Sequence, residues 1–344
     1  MVVILWLILL TMNLQVKRSG LNENYLSKEN TQPIKGIFII IVFLSHIRTY
    51  TTFGSKGDLY TIGVLNYLGQ LMVALFLFYS GYGIYESIKG KGNCYIESLL
   101  KNRFGKTFFD FSFAILLFLV VNACMGTFYP LKDILLSLIG WSSVGNSAWY
   151  MFAVFTLYIL SFICFSVFKN VKYGRVLSLL FMSVCSLSYV YVMSLFKDDY
   201  WSNTYLCFVA GMWYSYFKKY IDKVMQKYIW LYYISTVAII GVYQYLFDER
   251  YRRLMLFNLV AILFCLIFVF VSMKISLQSK FLSWMGNHLF WVYILQRIPM
   301  LVLNRIGFAD MYPYMYLYIC FVITIIMAYY VNILAEKLKK KIWK

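Results

Sequence analysis

The chain has 344 residues, 62% of them hydrophobic and 13% charged, with a formal net charge of +18. Soluble domains average roughly 45–50% apolar and 25% charged residues, so a soluble fold is excluded. The composition predicts an all-α integral membrane protein, a single bundle of about 10–11 transmembrane helices with no separable extramembrane domain.

Eleven apolar segments follow one another: 1–15, 34–50, 61–85, 107–128, 148–168, 174–196, 201–217, 228–247, 254–273, 286–304 and 314–335. A spanning helix needs about 20 residues, so the first is short. It lacks the basic start and small-residue cleavage site of a signal peptide, and Lys17 and Arg18 follow it. It reads as a short helix entering from outside, or as a retained, unusual signal. The expected organisation is 1–33 for this helix and a cytoplasmic linker, 34–335 for the transmembrane domain and 336–344 for a basic cytoplasmic tail. With only four prolines, the helices are expected to be mostly unbroken.

Most of the 32 basic residues fall in alternate loops. The positive-inside rule then puts the amino terminus outside and the tail "EKLKKKIWK" in the cytoplasm. The loop "DERYRR", residues 248–253, is the exception, and Asp248 and Glu249 offset part of its charge. The net positive charge thus faces anionic membrane lipid rather than nucleic acid, which is not an expected partner. The seven cysteines, Cys94, Cys124, Cys164, Cys185, Cys207, Cys265 and Cys320, form no C-x-x-C pair and read as apolar packing residues. None sits with histidine at ligand spacing, so no metal site is expected.

Within "TQPIKGIFIIIVFLSHIRTY" (31–50) an apolar run keeps Lys35 and His46, although ionisable groups are costly in hydrocarbon. Eleven residues of helix bring the two side chains back to within about 20° of one face, separated by about 16 Å along the axis. One reading is a lysine snorkelling to the cytosolic surface and a histidine hydrogen-bonded near the outer interface. The other is functional, because histidine exchanges its proton near neutral pH. Lys101, Arg103 and Lys106 similarly read as a cytosolic charge cluster before a span or as an anion clamp. Asp110, four residues beyond Lys106, reads as its ion-pair partner. Ser80-Gly81-Tyr82-Gly83 reads as close helix packing or as part of a site.

The Lys-x10-His spacing in "KGIFIIIVFLSH" resembles the signature of the acyltransferase-3 family of membrane O-acyltransferases. "MVALFLFYSGYGIYES" (72–87) resembles that family's second helix, and Arg103-x-x-Lys106 in "SLLKNRFGKTFF" is similar to its basic motif. "SAWYMFAVFTLYIL" and "LSWMGNHLFWVYILQ" match later helices in style, so the likeness runs through nearly the whole chain. It implies transfer of an acyl group, expected to be acetyl, from cytosolic acetyl-CoA to a hydroxyl of a capsule, exopolysaccharide or other envelope glycan, or its lipid-linked precursor. It also implies a bacterial cytoplasmic membrane location and no permanently bound cofactor. His46 and Lys35 become the candidate catalytic pair, lining one internal path. Lys101, Arg103 and Lys106 become the coenzyme A site, and Ser80, Tyr82 and Trp149 the substrate path. Two departures stand out. Gln296 occupies a position where many relatives have histidine, and segment 1–15 precedes the family's first helix. His288 reads as structural. The rival is a transporter or flippase for a lipid-linked sugar, which would be expected to carry more buried charge along several helices. Against a membrane polysaccharide polymerase stand the short external loops. A non-catalytic sensor of the same fold is the last alternative.

Overall fold

A computed structural model describes residues 1–343. In chain order it contains α1 (Val2–Thr11), β1 (Asn13–Val16), α2 (Lys28–Ile47), α3 (Lys56–Leu68), α4 (Leu71–Lys91), α5 (Asn93–Leu99), α6 (Lys106–Cys124), α7 (Leu131–Leu138) and α8 (Trp149–Val167). Then come α9 (Gly174–Phe196), α10 (Leu206–Lys227), α11 (Ile229–Phe247), α12 (Leu254–Lys274), β2 (Ile275–Gln278), α13 (Lys280–Asn287), α14 (Leu289–Leu295), α15 (Arg297–Arg305), α16 (Phe308–Met311) and α17 (Pro313–Ile342). The two short strands pair antiparallel, Asn13 opposite Gln278 and Val16 opposite Ile275, and tie the first segment to the turn before α13.

Eight helices are long and apolar enough to cross a membrane: α2, α4, the helix Asn93–Cys124, α8, α9, α11, α12 and α17. Around them, Trp230, Ile234, Val237 and Val242 of α11 are exposed, as hydrocarbon-facing side chains are. The protein is a multi-pass membrane protein of the all-α class. Three predicted segments take other forms. Segment 1–15 becomes the ten-residue α1, about 15 Å long and half of a ~30 Å hydrocarbon core. Segment 201–217 begins as a 3-10 turn at Asp199–Trp201, and α10, which follows it, carries Lys218, Lys219, Asp222 and Lys223 in its second half. Segment 286–304 is broken into α13, α14 and α15.

These breaks correct the expectation of unbroken helices. Pro299 cannot donate to the carbonyl four residues back, and the helix divides at Gln296. The break at His288 has no proline; there the ring Nδ1 sits 2.9 Å from the Trp284 carbonyl and the ring stacks on the Trp284 indole. Segment 61–85 is cut at Gly69, whose φ of +47° ends α3.

Capping sets where the functional helices start. Ser27 accepts from the Asn30 amide to open α2, and Ser279 accepts from the Leu282 amide to open α13. The two helices then pack so closely that a Cβ on Gly36 would lie 2.0 Å from the Leu282 carbonyl oxygen, and one on Gly286 2.0 Å from that of Gln32. The α4–α10 crossing repeats the device with Gly81 against Phe208 and Gly211 against Phe78. Small residues there let two backbones touch, which fixes α2 and α4 against the bundle.

Candidate active site

His46 lies in the last turn of α2. It opens onto a cavity of about 770 Å³ whose lining includes Ser45, Gln70, Trp149, Asp198, Tyr200 and Tyr293. A second space of about 500 Å³ also reaches His46 and runs past Ser147, Trp141 and Arg297. The His46 Nδ1 atom is buried with no hydrogen-bond partner among the described residues. Beside it stand the Gln296 carboxamide and, within electrostatic range, the Arg297 guanidinium. Gln296 donates to the Tyr293 carbonyl at 2.8 Å, leaving its own Oε1 buried and unpartnered. Arg297 donates to Ser147 Oγ at 2.9 Å and approaches the Tyr50 hydroxyl at 3.5 Å. An imidazole that lines a cavity and pairs with no carboxylate has the chemistry to take a substrate proton.

Lys35 opens onto a different cavity, of about 630 Å³, with Lys28, Ser80, Tyr82, Arg103 and Tyr158. Lys28 and Arg103 both repel the Lys35 ammonium, which rests 5.4 Å from the Tyr79 ring centroid. None of the three cations pairs with a carboxylate among the described residues. Asp110 also lines this space but is held by Lys339 at 2.8 Å. Like charges brought together without counter-ions cost energy that a bound anion relieves. Three further polar atoms lining this cavity are buried without partners: Gln32 Oε1, Tyr79 OH and Asp110 Oδ1. Such atoms are satisfied when a polar ligand enters.

Between the two spaces lies an aromatic contact. Tyr150 lines the Lys35 cavity and Tyr293 the His46 cavity. Their ring centroids are 5.2 Å apart, and Tyr293 lies 6.2 Å from the His46 ring. A charged, polar-lined chamber and a histidine chamber thus meet at a tyrosine pair. A family model described as an acyltransferase domain, Acyl_transf_3, matches residues 34–333.

The chain belongs to the acyltransferase-3 family. No curated protein and no solved structure matches it. It is an enzyme, a membrane acyltransferase, and its matched region takes in the His46 chamber and most of the Lys35 chamber, while α1, β1, Lys28 and Gln32 lie outside it.

Several placements in this acyltransferase differ from the sequence reading. Lys35 and His46 share a helix but line separate cavities rather than one continuous path. Ser80 joins Lys35, its hydroxyl 3.3 Å from that of Tyr158, while Trp149 joins His46. Arg103 lies in a π-helical turn, Leu100–Gly105, and its Nε donates to the Tyr95 hydroxyl at 3.0 Å. That wide turn breaks the i, i+3 geometry expected for Arg103 and Lys106, and neither Lys106 nor Lys101 lines the cavity. Asp110 pairs with Lys339 of α17, not with Lys106. No group of three His, Cys, Asp or Glu side chains able to hold a metal occurs among the described residues.

Sequence reading missed Arg297, Tyr150, Tyr293, Gln32 and the carboxylates Asp198 and Asp199. Arg297 had a signal, since it is an arginine inside a predicted apolar segment. The tyrosines had none, being two of the chain's 32 that no helical pattern distinguishes from packing residues.

Proposed function

We propose that the enzyme transfers an acetyl group from acetyl-CoA, bound in the Lys35 cavity, to a hydroxyl of an envelope glycan held at His46. The observation that carries this is the pairing of two chambers of opposite chemistry across Tyr150 and Tyr293. Arg103, Lys35 and Lys28 supply the cations that phosphates require. Gln32 Oε1 and the Tyr79 hydroxyl suit the amides of the flexible pantetheine arm. With the lysine-rich tail in the cytoplasm, as the loop charges imply, the Lys35 cavity faces the donor pool and the His46 cavity faces outward. The membrane is then the bacterial cytoplasmic membrane.

In the reaction, His46 takes the proton from the glycan hydroxyl as its oxygen attacks the thioester carbonyl. The new C–O bond forms, the C–S bond breaks, and the imidazolium returns the proton to the departing thiolate. Gln296, with its carboxamide beside the ring, orients the imidazole. The acyl end must pass the Tyr150–Tyr293 contact to reach it, while the nucleotide stays with its cations. Coenzyme A therefore need not leave the cytosol.

Deleting the gene and comparing the acetyl resonances of purified surface glycan with those of the parent strain tests the reading. Loss of a defined acetyl signal is expected, and unchanged acetylation would overturn it.

A further inference from the structure

The His46 cavity has a feature that proton transfer does not use. Its far wall is the turn after α9, where Asp198, Asp199 and Tyr200 face Trp149. Both carboxylates lack a lysine or arginine partner among the described residues. The nearby cations, Lys197 and Arg297, stand on the adjoining space that also reaches Asp198 and Tyr200. Lys197 lies 3.9 Å from the Trp141 ring centroid and 4.5 Å from that of Trp201, and Arg297 is bound to Ser147. Trp149 and Tyr200 meet edge-on, their centroids 5.8 Å apart and their planes at 67°. Tyr200 is 38% exposed, a large aromatic left uncovered beside two free carboxylates.

We infer that this wall is the acceptor subsite and that it takes a sugar ring without negative charge, seated against Trp149 and Tyr200 with its hydroxyls on Asp198 and Asp199. The inference rests on the transferase reading and narrows its substrate class. Carboxylates are acceptors only, so they match the several O–H donors of a pyranose. Charge-assisted bonds of that kind are roughly twice as strong as neutral ones. Rigid aromatic faces match the apolar C–H face of the same ring. Within the His46 cavity a uronate or other acidic sugar would bring its carboxylate onto Asp198 and Asp199, with Lys197 and Arg297 on the adjoining space, and like charges brought together at an interface are strongly disfavoured. Trp149 and His46 line the same cavity, so a hydroxyl on the seated ring comes within reach of the imidazole.

The test uses the purified protein in lipid nanodiscs, which avoids sugar detergents, with maltohexaose and hexagalacturonate as probes and saturation-transfer NMR as readout. Saturable binding of maltohexaose is expected, with hexagalacturonate at least tenfold weaker. Tyr200→Ala should weaken maltohexaose at least tenfold. The double variant Asp198→Asn/Asp199→Asn should narrow the gap between the two glycans, and an unchanged melting temperature shows that each variant is folded. Equal or tighter binding of hexagalacturonate, no saturable binding of either glycan, or folded variants that bind like the parent would each overturn the inference. Failure of the donor reading shows separately, as an absence of saturable acetyl-CoA binding to the parent protein.

Discussion

Tyr150 and Tyr293 touch ring to ring, 5.2 Å between centroids, and each faces a different chamber. One comes from the first turn of α8 and the other from α14, so the contact depends on how those helices are packed. With acetyl-CoA in the Lys35 cavity, as proposed, this contact would bar water of the His46 chamber from the thioester. Replacing Tyr293 by Leu should open that barrier. Release of thiol from acetyl-CoA without any acceptor is expected to rise several-fold, followed with a thiol-reactive dye. A folded variant with parental release would show that the pair is mere packing.

The chain has two histidines, so the requirement for a base can be tested cleanly. Positioned general bases contribute typically 10²–10⁴-fold, and His46→Ala should lose about that much glycan acetylation. His46→Gln should fail equally, because its amide cannot shuttle a proton. His288→Ala should keep most activity and lose only about 0.5–1.5 kcal/mol of stability, the worth of one hydrogen bond. An active, normally expressed His46→Ala would remove the base from the mechanism.

Donor affinity should separate the three basic residues before α6. Arg103 lines the Lys35 cavity, whereas Lys101 and Lys106 do not. Loss of a charged contact is worth roughly 1.5–3 kcal/mol, so Arg103→Ala should raise the apparent KM for acetyl-CoA by one to two factors of ten. Lys101→Ala and Lys106→Ala should change it less than threefold. The reverse ranking would relocate the phosphate site.

The α4–α10 crossing predicts a stability effect without a direct catalytic one. Gly81→Val would drive side-chain atoms into the Phe208 carbonyl, 1.9 Å from the first added carbon. Overpacking costs about 1–3 kcal/mol and occasionally more, and contact with rigid backbone puts this case at the upper end. The variant should melt well below the parent in a fluorescence-detected size-exclusion assay. Gly83→Ala, where nothing lies within 4 Å, is the control and should melt as the parent does.

Membrane orientation can be checked by cysteine labelling in a background without native cysteines. Sites near Lys56 and Lys132 should react with an impermeant reagent from outside, and those near Lys91 and Lys219 should not. Reversed labelling at both pairs would invert the assignment of the two cavities to cytosol and exterior.

Sequence alone determined the membrane class and most of the spanning helices, because hydrocarbon leaves a chain no choice but to satisfy its backbone within each segment. It also singled out Lys35, His46 and Arg103, since charge in an apolar run announces its own cost. The tertiary structure decided what those residues face. Helical periodicity put Lys35 and His46 on one side of α2, but only the meeting of α8 and α14 at Tyr150 and Tyr293 divided that side into two chambers. The π-helical turn that separates Arg103 from Lys106 and the Lys339 partner of Asp110 were equally invisible, the latter because it lies 229 positions away in the chain. Tyr150, Tyr293 and Tyr200 look like any aromatic residue of a membrane helix or loop. Their roles come from neighbours on other elements, and a linear pattern carries no information about which distant face a side chain will meet.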